Sequence, residues 1–350
     1  MTPGVLSAPR AASVDSPPSR VTAWAGTNIA LVKYWGKRPG ALNLPAAGSL
    51  SLTLAELGTT TSVRFLPATS GQDVVVLNGE PAKPVVAART SRFLDLVRNR
   101  ANLTAPAEVI TRNTVPTAAG LASSASGFAA LALAASRAAG LNLDPPALSR
   151  LARQGSGSAA RSIFGGFVQM DAGLREDGED AFAWPLLPPD AWEVRLVVAL
   201  TARGEKALGS TEAMQHTGST SPFHEAWIAS VPADLRAAHT ALERRDLDAL
   251  GRIAERSCLR MHAAAMAADP GILYWNPVTL GAIEAVKLLR QRGTAAFFTI
   301  DAGPHVKVLC RSEDAAQVQA ALAEVPGVLE TLVARPGEAA RVLPAVPEVA

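Results

Sequence analysis

Four segments of the 350-residue chain carry residue types that do chemistry. The first, "RNTVPTAAGLASSASGFAALALAASRAAG" (112–140), passes from a small-residue loop into a run of helix formers. Pro116 stiffens the chain and Gly120 permits tight backbone geometry, so a helix is expected to begin near Ser123 with its first amides unpaired. Unpaired amides and the positive end of a helix dipole attract phosphate. The hydroxyls of Ser123 and Ser124 can bind phosphate oxygens or ligate Mg2+, and the alanines let a triphosphate approach the backbone. The same residues also fit an N-capped, alanine-rich core helix. The loop lacks the G-K-[ST] ending of a Walker motif, so a cation must arrive from elsewhere in the fold.

The second segment, "NIALVKYWGKRPGALNLP", holds Lys33 and Lys37 with Tyr34 and Trp35 between them. On a helix the two lysines share a face; in a loop they can converge on one anion. A solvated basic turn is the plain alternative. The third, "FFTIDAG", ends an apolar strand on Asp301, where a carboxylate is costly to bury without a partner, which suggests a functional acid. An aspartate capping the turn before Ala302 and Gly303 fits as well. In the fourth, "GSGSAARSI", Ser156 and Ser158 stand on a small-residue loop whose hydroxyls and amides suit a diphosphate, and Arg161 follows them.

These residues need a scaffold. The segments "TTTSVRFLP" and "DVVVLNG" read as neighbouring strands, "VVAARTSRFLDLVRNRA" as a surface helix, and "AEVITRN" as a strand feeding the small-residue loop. Further strands are expected at "GFVQM", "WEVRLVVALT", "AAFFTIDAG" and "HVKVLC", and helices at "LDALGRIAERSCLRMHAAAM" and "VTLGAIEAVKLLRQRG". Strands and helices mix without a strict βαβ rhythm, which argues an α+β fold. The length and 48% apolar content suit two lobes, with a break near "WPLLPPDAWEV". The expected division is an extension over 1–20, lobes over 21–187 and 188–335, and a flexible tail over 336–350. A net charge of +2 spread along the chain, without basic blocks, argues against a nucleic-acid binder. No apolar run is long enough for a membrane span. Cys258 and Cys310, far apart and without metal-ligand spacing, indicate neither a disulfide framework nor a zinc site and point to a reducing compartment, the cytoplasm.

The segments "AGTNIALVKYWGKR", "LNLP", "VPTAAGLASSASGFAALALAA", "GSGSAARSIFGGFVQM", "MHAAAM" and "FFTIDAGPHVKVL" occur in the order in which similar segments run through mevalonate diphosphate decarboxylases. From about Val21 to the low 330s the chain resembles that family, which lies within the GHMP kinase superfamily. The resemblance implies a two-lobed fold with the site in the cleft, ATP and Mg2+ as cofactors, and a homodimer. It implies phosphorylation of the tertiary 3-hydroxyl of (R)-5-diphosphomevalonate, followed by loss of phosphate and CO2 to leave isopentenyl diphosphate.

By the same resemblance, Asp301 faces the 3-hydroxyl as the catalytic carboxylate, and Arg161 grips the substrate carboxylate. Lys33, Tyr34 and Lys37 approach the substrate and the transferred phosphate, while Asn43 keeps aspartate and hydroxyl in register. Ser156, Ser158 and Ser210 lie near the diphosphate, Met214 touches the substrate methyl, and Arg89 reaches the substrate. Pro116, Ala119, Gly120, Leu121, Ala122, Ser123 and Ser124 hold the nucleotide, with Ser123 and Ser124 also placed to meet the metal. His262 reads as a core histidine rather than a base. Three departures stand out: Gly26-Thr27 where relatives carry a proline, Ala46-Ala47-Gly48 in place of a Thr-Asn-Ser run, and His305 in place of asparagine. His305 is expected either to alter the orientation of Asp301 or to face solvent. A relative acting on the 5-monophosphate, and a small-molecule kinase that stops at phosphorylation, are the other readings these residues leave open.

Overall fold

The computed structural model describes residues 20–114, 123–204 and 208–344. The loop residues Pro116, Ala119, Gly120, Leu121 and Ala122 therefore lie outside the described residues. The first lobe is built from β1 (Val21–Val32), β2 (Ser49–Phe65), β3 (Val74–Leu77), β4 (Glu80–Pro81), α1 (Pro84–Ala101) and β5 (Ala107–Asn113). It continues through α2 (Ser123–Ala138), α3 (Pro145–Gly155), a 3-10 helix (Gly157–Ile163), β6 (Phe167–Met170) and β7 (Ala183–Leu187). The chain then crosses Pro188 and Pro189 into β8 (Val194–Leu200), α4 (Ser210–Thr220), α5 (His224–Arg244), α6 (Leu247–Met266) and α7 (Pro277–Gln291). It ends with β9 (Ala296–Ile300), β10 (Val306–Arg311), α8 (Ala315–Ala323), β11 (Glu330–Ala334) and β12 (Arg341–Val342).

The first sheet runs β12-β1-β2-β5-β3-β4, with β6 also pairing β2 and β7 pairing β6; the second runs β11-β8-β10-β9. This mixed arrangement is the α+β fold expected. One expectation is corrected: β2 and β3 are not neighbours, because β5 lies between them, antiparallel to β2 and parallel to β3. The chain reverses at the β3–β4 hairpin and crosses on α1 before β5, which inserts beside β3 and runs parallel to it.

Residues 336–344, grouped by sequence with a flexible tail, instead return to the first lobe. Gly337 N–H donates to the Thr53 carbonyl at 2.8 Å, Leu343 N–H donates to the Thr22 carbonyl at 2.8 Å, and β12 pairs with β1. A Pro-, Gly- and Ala-rich composition hid a segment whose pairing is made by backbone groups, which carry no sequence signature.

Helix α2 is apolar nearly all round, the pattern of a helix buried on every side, and it packs on β1 and β2. On the other side of those strands, Leu31, Leu50 and Leu52 share an apolar core with Leu196, Leu250 and Phe297 of the second lobe. The lobes are thus joined through a common core, with separate cores around Val63 and Leu94 in the first and around Ile283 and Val308 in the second. Among the described residues no helix is long and apolar enough to cross a membrane.

Candidate active site

Strand β9 is buried along its whole length and delivers Asp301 immediately after its end. The Asp301 side chain keeps 30% of its surface exposed while both oxygens are gripped. Lys33 Nζ, from the residue that follows β1, lies 2.6 Å from Oδ1, and Lys307 Nζ, from β10, lies 3.2 Å from Oδ2. The lysines are 1% and 3% exposed. Burial pushes the Asp301 carboxyl upward, but the ammonium groups of Lys307 and Lys33 outweigh it and hold the group well below the usual carboxylate range. Lys307 escaped sequence reasoning. Its signal was a lysine set in the apolar run "HVKVLC" of a strand buried on both faces.

Helix α6 supports this cluster from behind. The Ser257 hydroxyl accepts from the Lys33 amide at 3.0 Å, and the Cys258 sulfur accepts from the Ile300 amide at 3.2 Å. His262 Nε2 lies 3.2 Å from the Ile300 carbonyl, so this nitrogen carries the proton and donates. Burial pushes the His262 imidazole down to about 3, so it remains neutral at physiological pH. His262 therefore steadies the backbone beside Asp301, in keeping with a core histidine rather than a base.

Arg161, on the 3-10 helix, is 1% exposed. Its Nη1 donates to the Ser49 hydroxyl at 2.6 Å, Nε to the Ser51 hydroxyl at 3.0 Å, and Nη2 to Asn28 Oδ1 at 3.0 Å. Asn28 is itself held by donating to the Ser158 carbonyl and to the Ser162 hydroxyl. Ser49 and Ser51 stand two apart on β2 and so face the same way. None of these three partners was anticipated, although the Ser/Thr alternation with leucine in "SLSLTL" marks a strand with hydroxyls on one face. The bonded partners are neutral, and of its five N–H groups as many as two remain for a ligand. Burial lowers the Arg161 guanidinium to about 10, opposed by Tyr34 and by the charge of Asp301, so it is still a cation at neutral pH.

Tyr34 follows Lys33 in the chain and lies with its ring 5.7 Å from the Arg161 guanidinium carbon. Its hydroxyl has no hydrogen-bond partner, and burial raises it to about 12. A Cβ at position 157 would stand 2.0 Å from that hydroxyl, so only glycine lets the tyrosine approach.

The lysine pair sits on a loop, not a helix: Lys37 bridges to Pro45, folding residues 37–45 back on themselves. Lys37 Nζ donates to Asn43 Oδ1 at 2.8 Å and to the Thr211 hydroxyl at 3.2 Å, next to Ser210 at the start of α4. Asn43 adopts the left-handed region at φ 52° and donates to the Gln154 carbonyl at 2.6 Å. Its bonds thus run to Lys37 and α3, a different engagement from the one expected with Asp301. Burial, with a smaller contribution from the positive charge of Arg89, lowers the Lys37 ammonium to about 8. If the charge of Lys37 draws in a phosphate, kcat/KM should fall as pH rises through about 8, where the ammonium is lost. Lys37→Arg should carry activity to higher pH, and a profile flat through that range in the unmodified protein would remove Lys37 from the binding step.

Helix α2 begins at Ser123, and the Ser124 hydroxyl lies 3.4 Å from that of Ser156. The small-residue helix start and the Ser156 loop therefore meet. Arg89 donates to the Gly155 carbonyl at 2.7 Å and lies over the Phe128 ring, lining with Leu77, Asn113 and Ser124 a cavity of about 300 Å3 beside the amino end of α2. Met214 is buried in the core shared by the lobes. Among the departures, His305 does not face solvent: it is 4% exposed, and its Nδ1 accepts from the Thr201 amide at 3.1 Å. At Gly26 a Cβ would stand 2.4 Å from the Leu54 carbonyl oxygen, and at Gly48 one would stand 2.8 Å from the Leu235 side chain.

Comparison with known proteins points one way. Residues 25–183 match the model of the diphosphomevalonate decarboxylase-like N-terminal domain, and residues 196–336 that of the mevalonate 5-diphosphate decarboxylase C-terminal domain. The diphosphomevalonate decarboxylase of Aspergillus fumigatus is 36% identical over 335 residues, covering 91% of this chain and 83% of its own length. The diphosphomevalonate decarboxylase of Homo sapiens is 34% identical over 327 residues, covering 88% and 81%. The solved structure of mevalonate diphosphate decarboxylase from Staphylococcus aureus superposes with a TM-score of 0.88 at 35% identity, over 93% of this chain and 98% of that one. The structure "MDDEF in complex with MVAPP, AMPPCP and Magnesium" does so with a TM-score of 0.87 at 41% identity, over 93% and 99%.

Proposed function

The chain belongs to the diphosphomevalonate decarboxylase family, and on that premise we propose that it converts (R)-5-diphosphomevalonate and ATP to isopentenyl diphosphate, ADP, phosphate and CO2. The observation that carries this reading is the grip of two buried lysines on Asp301, with the buried cation Arg161 against Tyr34, the residue that follows Lys33 in the chain. Phosphoryl transfer asks a protein for positioning and charge more than for covalent chemistry. Asp301 accepts the hydrogen bond of the 3-hydroxyl and orients it toward the γ-phosphoryl group. A carboxylate held so far below its usual range is a weak base, so its main contribution is orientation and, as the C3–O bond to phosphate breaks, stabilisation of the positive charge at C3. Arg161 holds the substrate carboxylate with its remaining N–H groups. The C1–C2 bond then breaks, its electron pair forming the C2–C3 double bond as CO2 leaves.

Ser156 and Ser158 face the substrate diphosphate together with Lys37, Asn43 and Ser210, and Met214 and Arg89 complete the substrate's surroundings. We assign the nucleotide to the amino end of α2, with its base in the cavity beside Phe128 and with Pro116, Ala119, Gly120, Leu121 and Ala122 as phosphate-binding residues. Mg2+, a hard cation that takes oxygen ligands and neutralises polyphosphate charge, would meet the hydroxyls of Ser123 and Ser124. We place the enzyme in the cytoplasm, where the buried thiols of Cys258 and Cys310 stay reduced, and as a homodimer, which sedimentation would check.

Incubation of purified protein with ATP, Mg2+ and substrate labelled in its carboxylate tests the reaction. Labelled CO2 and phosphate should appear in step with ADP, and EDTA should stop all three. ADP without CO2 would make the protein a simple kinase, and faster turnover of the 5-monophosphate would reassign its substrate.

A further inference from the structure

Asp301 is held by one more cation than the carriage of an alcohol needs. Strand β10 lies between β8 and β9, with Lys307 in register with Thr299 and Val198. Val306 and Val308 pack into the core of the second lobe, whereas the next residue on the other face, Leu309, packs into the core shared by the lobes. Alternation therefore carries the Lys307 ammonium into the interface between lobes, where it is 3% exposed and reaches Asp301 Oδ2 at 3.2 Å. Folding does not call for a charge there, because a buried ion pair is commonly no more stable than apolar residues of similar size.

We propose that Lys307 is a positioning residue for Asp301, holding the carboxylate oxygen that Lys33 leaves free and keeping the group anionic throughout turnover. The proposal rests on the reading of Asp301 as the group facing the reacting hydroxyl. The charged and titratable groups around the carboxylate are Lys33 just after β1, Lys307 from β10, Arg161 from the 3-10 helix, and Cys258 and His262 from α6. Burial holds the Cys258 thiol at about 11 and the His262 imidazole at about 3, so both are neutral near pH 7 and the lysines and arginine supply the field. Burial alone would raise the carboxyl, and Lys307 stands first among the cations that reverse this. With Lys307 removed, Asp301 keeps Lys33 as its ion-pair partner and one anchored oxygen; its protonation then moves toward the working pH and the group is free to rotate.

The test is the pH profile of kcat and kcat/KM for Lys307→Met and Lys307→Arg. We expect Lys307→Met to lose about 10- to 100-fold in kcat near neutrality. Its acid limb should move upward by about one to two pH units, with KM for ATP unchanged. Lys307→Arg should retain the original limb. An acid limb in Lys307→Met that superimposes on that of the unmodified protein, whatever the size of kcat, overturns the proposal. A second arm needs no substrate: the urea midpoint should fall more for Lys307→Met alone than when the same change is made on top of Asp301→Asn. Equal falls in the two backgrounds also overturn it. Absence of CO2 from the unmodified protein would tell against the decarboxylase reading and leave the urea result standing.

Discussion

Asp301→Asn should abolish measurable turnover while ATP binding survives. The substitution keeps the shape of the side chain and removes the charge that Lys33 at 2.6 Å and Lys307 at 3.2 Å are arranged around. Two effects add. The amide is a poorer acceptor for the 3-hydroxyl and gives no electrostatic support to a cationic C3, and a positioned acid-base group alone is worth about 100- to 10,000-fold. In addition, two buried ammonium groups lose their counter-charge, which disturbs the arrangement of Lys33. Nucleotide affinity measured by titration calorimetry should stay close to that of the unmodified protein, because the proposed nucleotide contacts lie at the amino end of α2. Near-normal release of ADP in a coupled assay would take the catalytic role away from Asp301.

Arg161→Met should be nearly as damaging, for reasons that separate binding from structure. Each charge-assisted hydrogen bond to the substrate carboxylate is worth about 1.5–3 kcal/mol, so losing a forked pair should lower kcat/KM by roughly 100- to 10,000-fold. The side chain also satisfies Asn28 Oδ1 and the hydroxyls of Ser49 and Ser51, and leaving such buried acceptors unpaired costs about 1–3 kcal/mol of stability. Arg161→Lys should restore little activity, since an ammonium cannot engage three separate acceptors and a carboxylate in one plane. Steady-state kinetics paired with a thermal melt would check both halves. Unchanged kinetics would mean that another group holds the carboxylate.

Legibility in the sequence followed how local each feature is. The bounds expected for Ala107–Asn113 and Leu247–Met266 are those of β5 and α6, because β-branched content and apolar spacing act within the segment itself. The start of α2 at Ser123 was equally readable from the change of composition. By contrast, only the second half of β2 was recognised, and the half that carries Ser49 and Ser51 was not. Its hydroxyl-bearing face names no partner locally, and only the approach of Arg161, more than a hundred positions away, makes it useful. The same holds for Lys307. Nothing near it in the chain declares a partner, since the pairing depends on where β9 ends and on how the lobes pack. Asp301 and Lys33 stood out singly and are 268 positions apart; the structure supplies their contact.

The return of β12 to the first sheet has a consequence for how the protein is made. Strand β1 would have an open edge without β12, and such an edge invites pairing with other chains. During synthesis, then, the half of the molecule that emerges first waits for residues 341 and 342 before its sheet is sealed, and a product cut short near 335 would leave the ribosome with that seam undone. Because Leu343 is hydrogen-bonded to Thr22, the two ends of the described residues are neighbours in space. Joining them by a short linker and opening a surface turn elsewhere would let β12 be translated first, and the seam would close at the start.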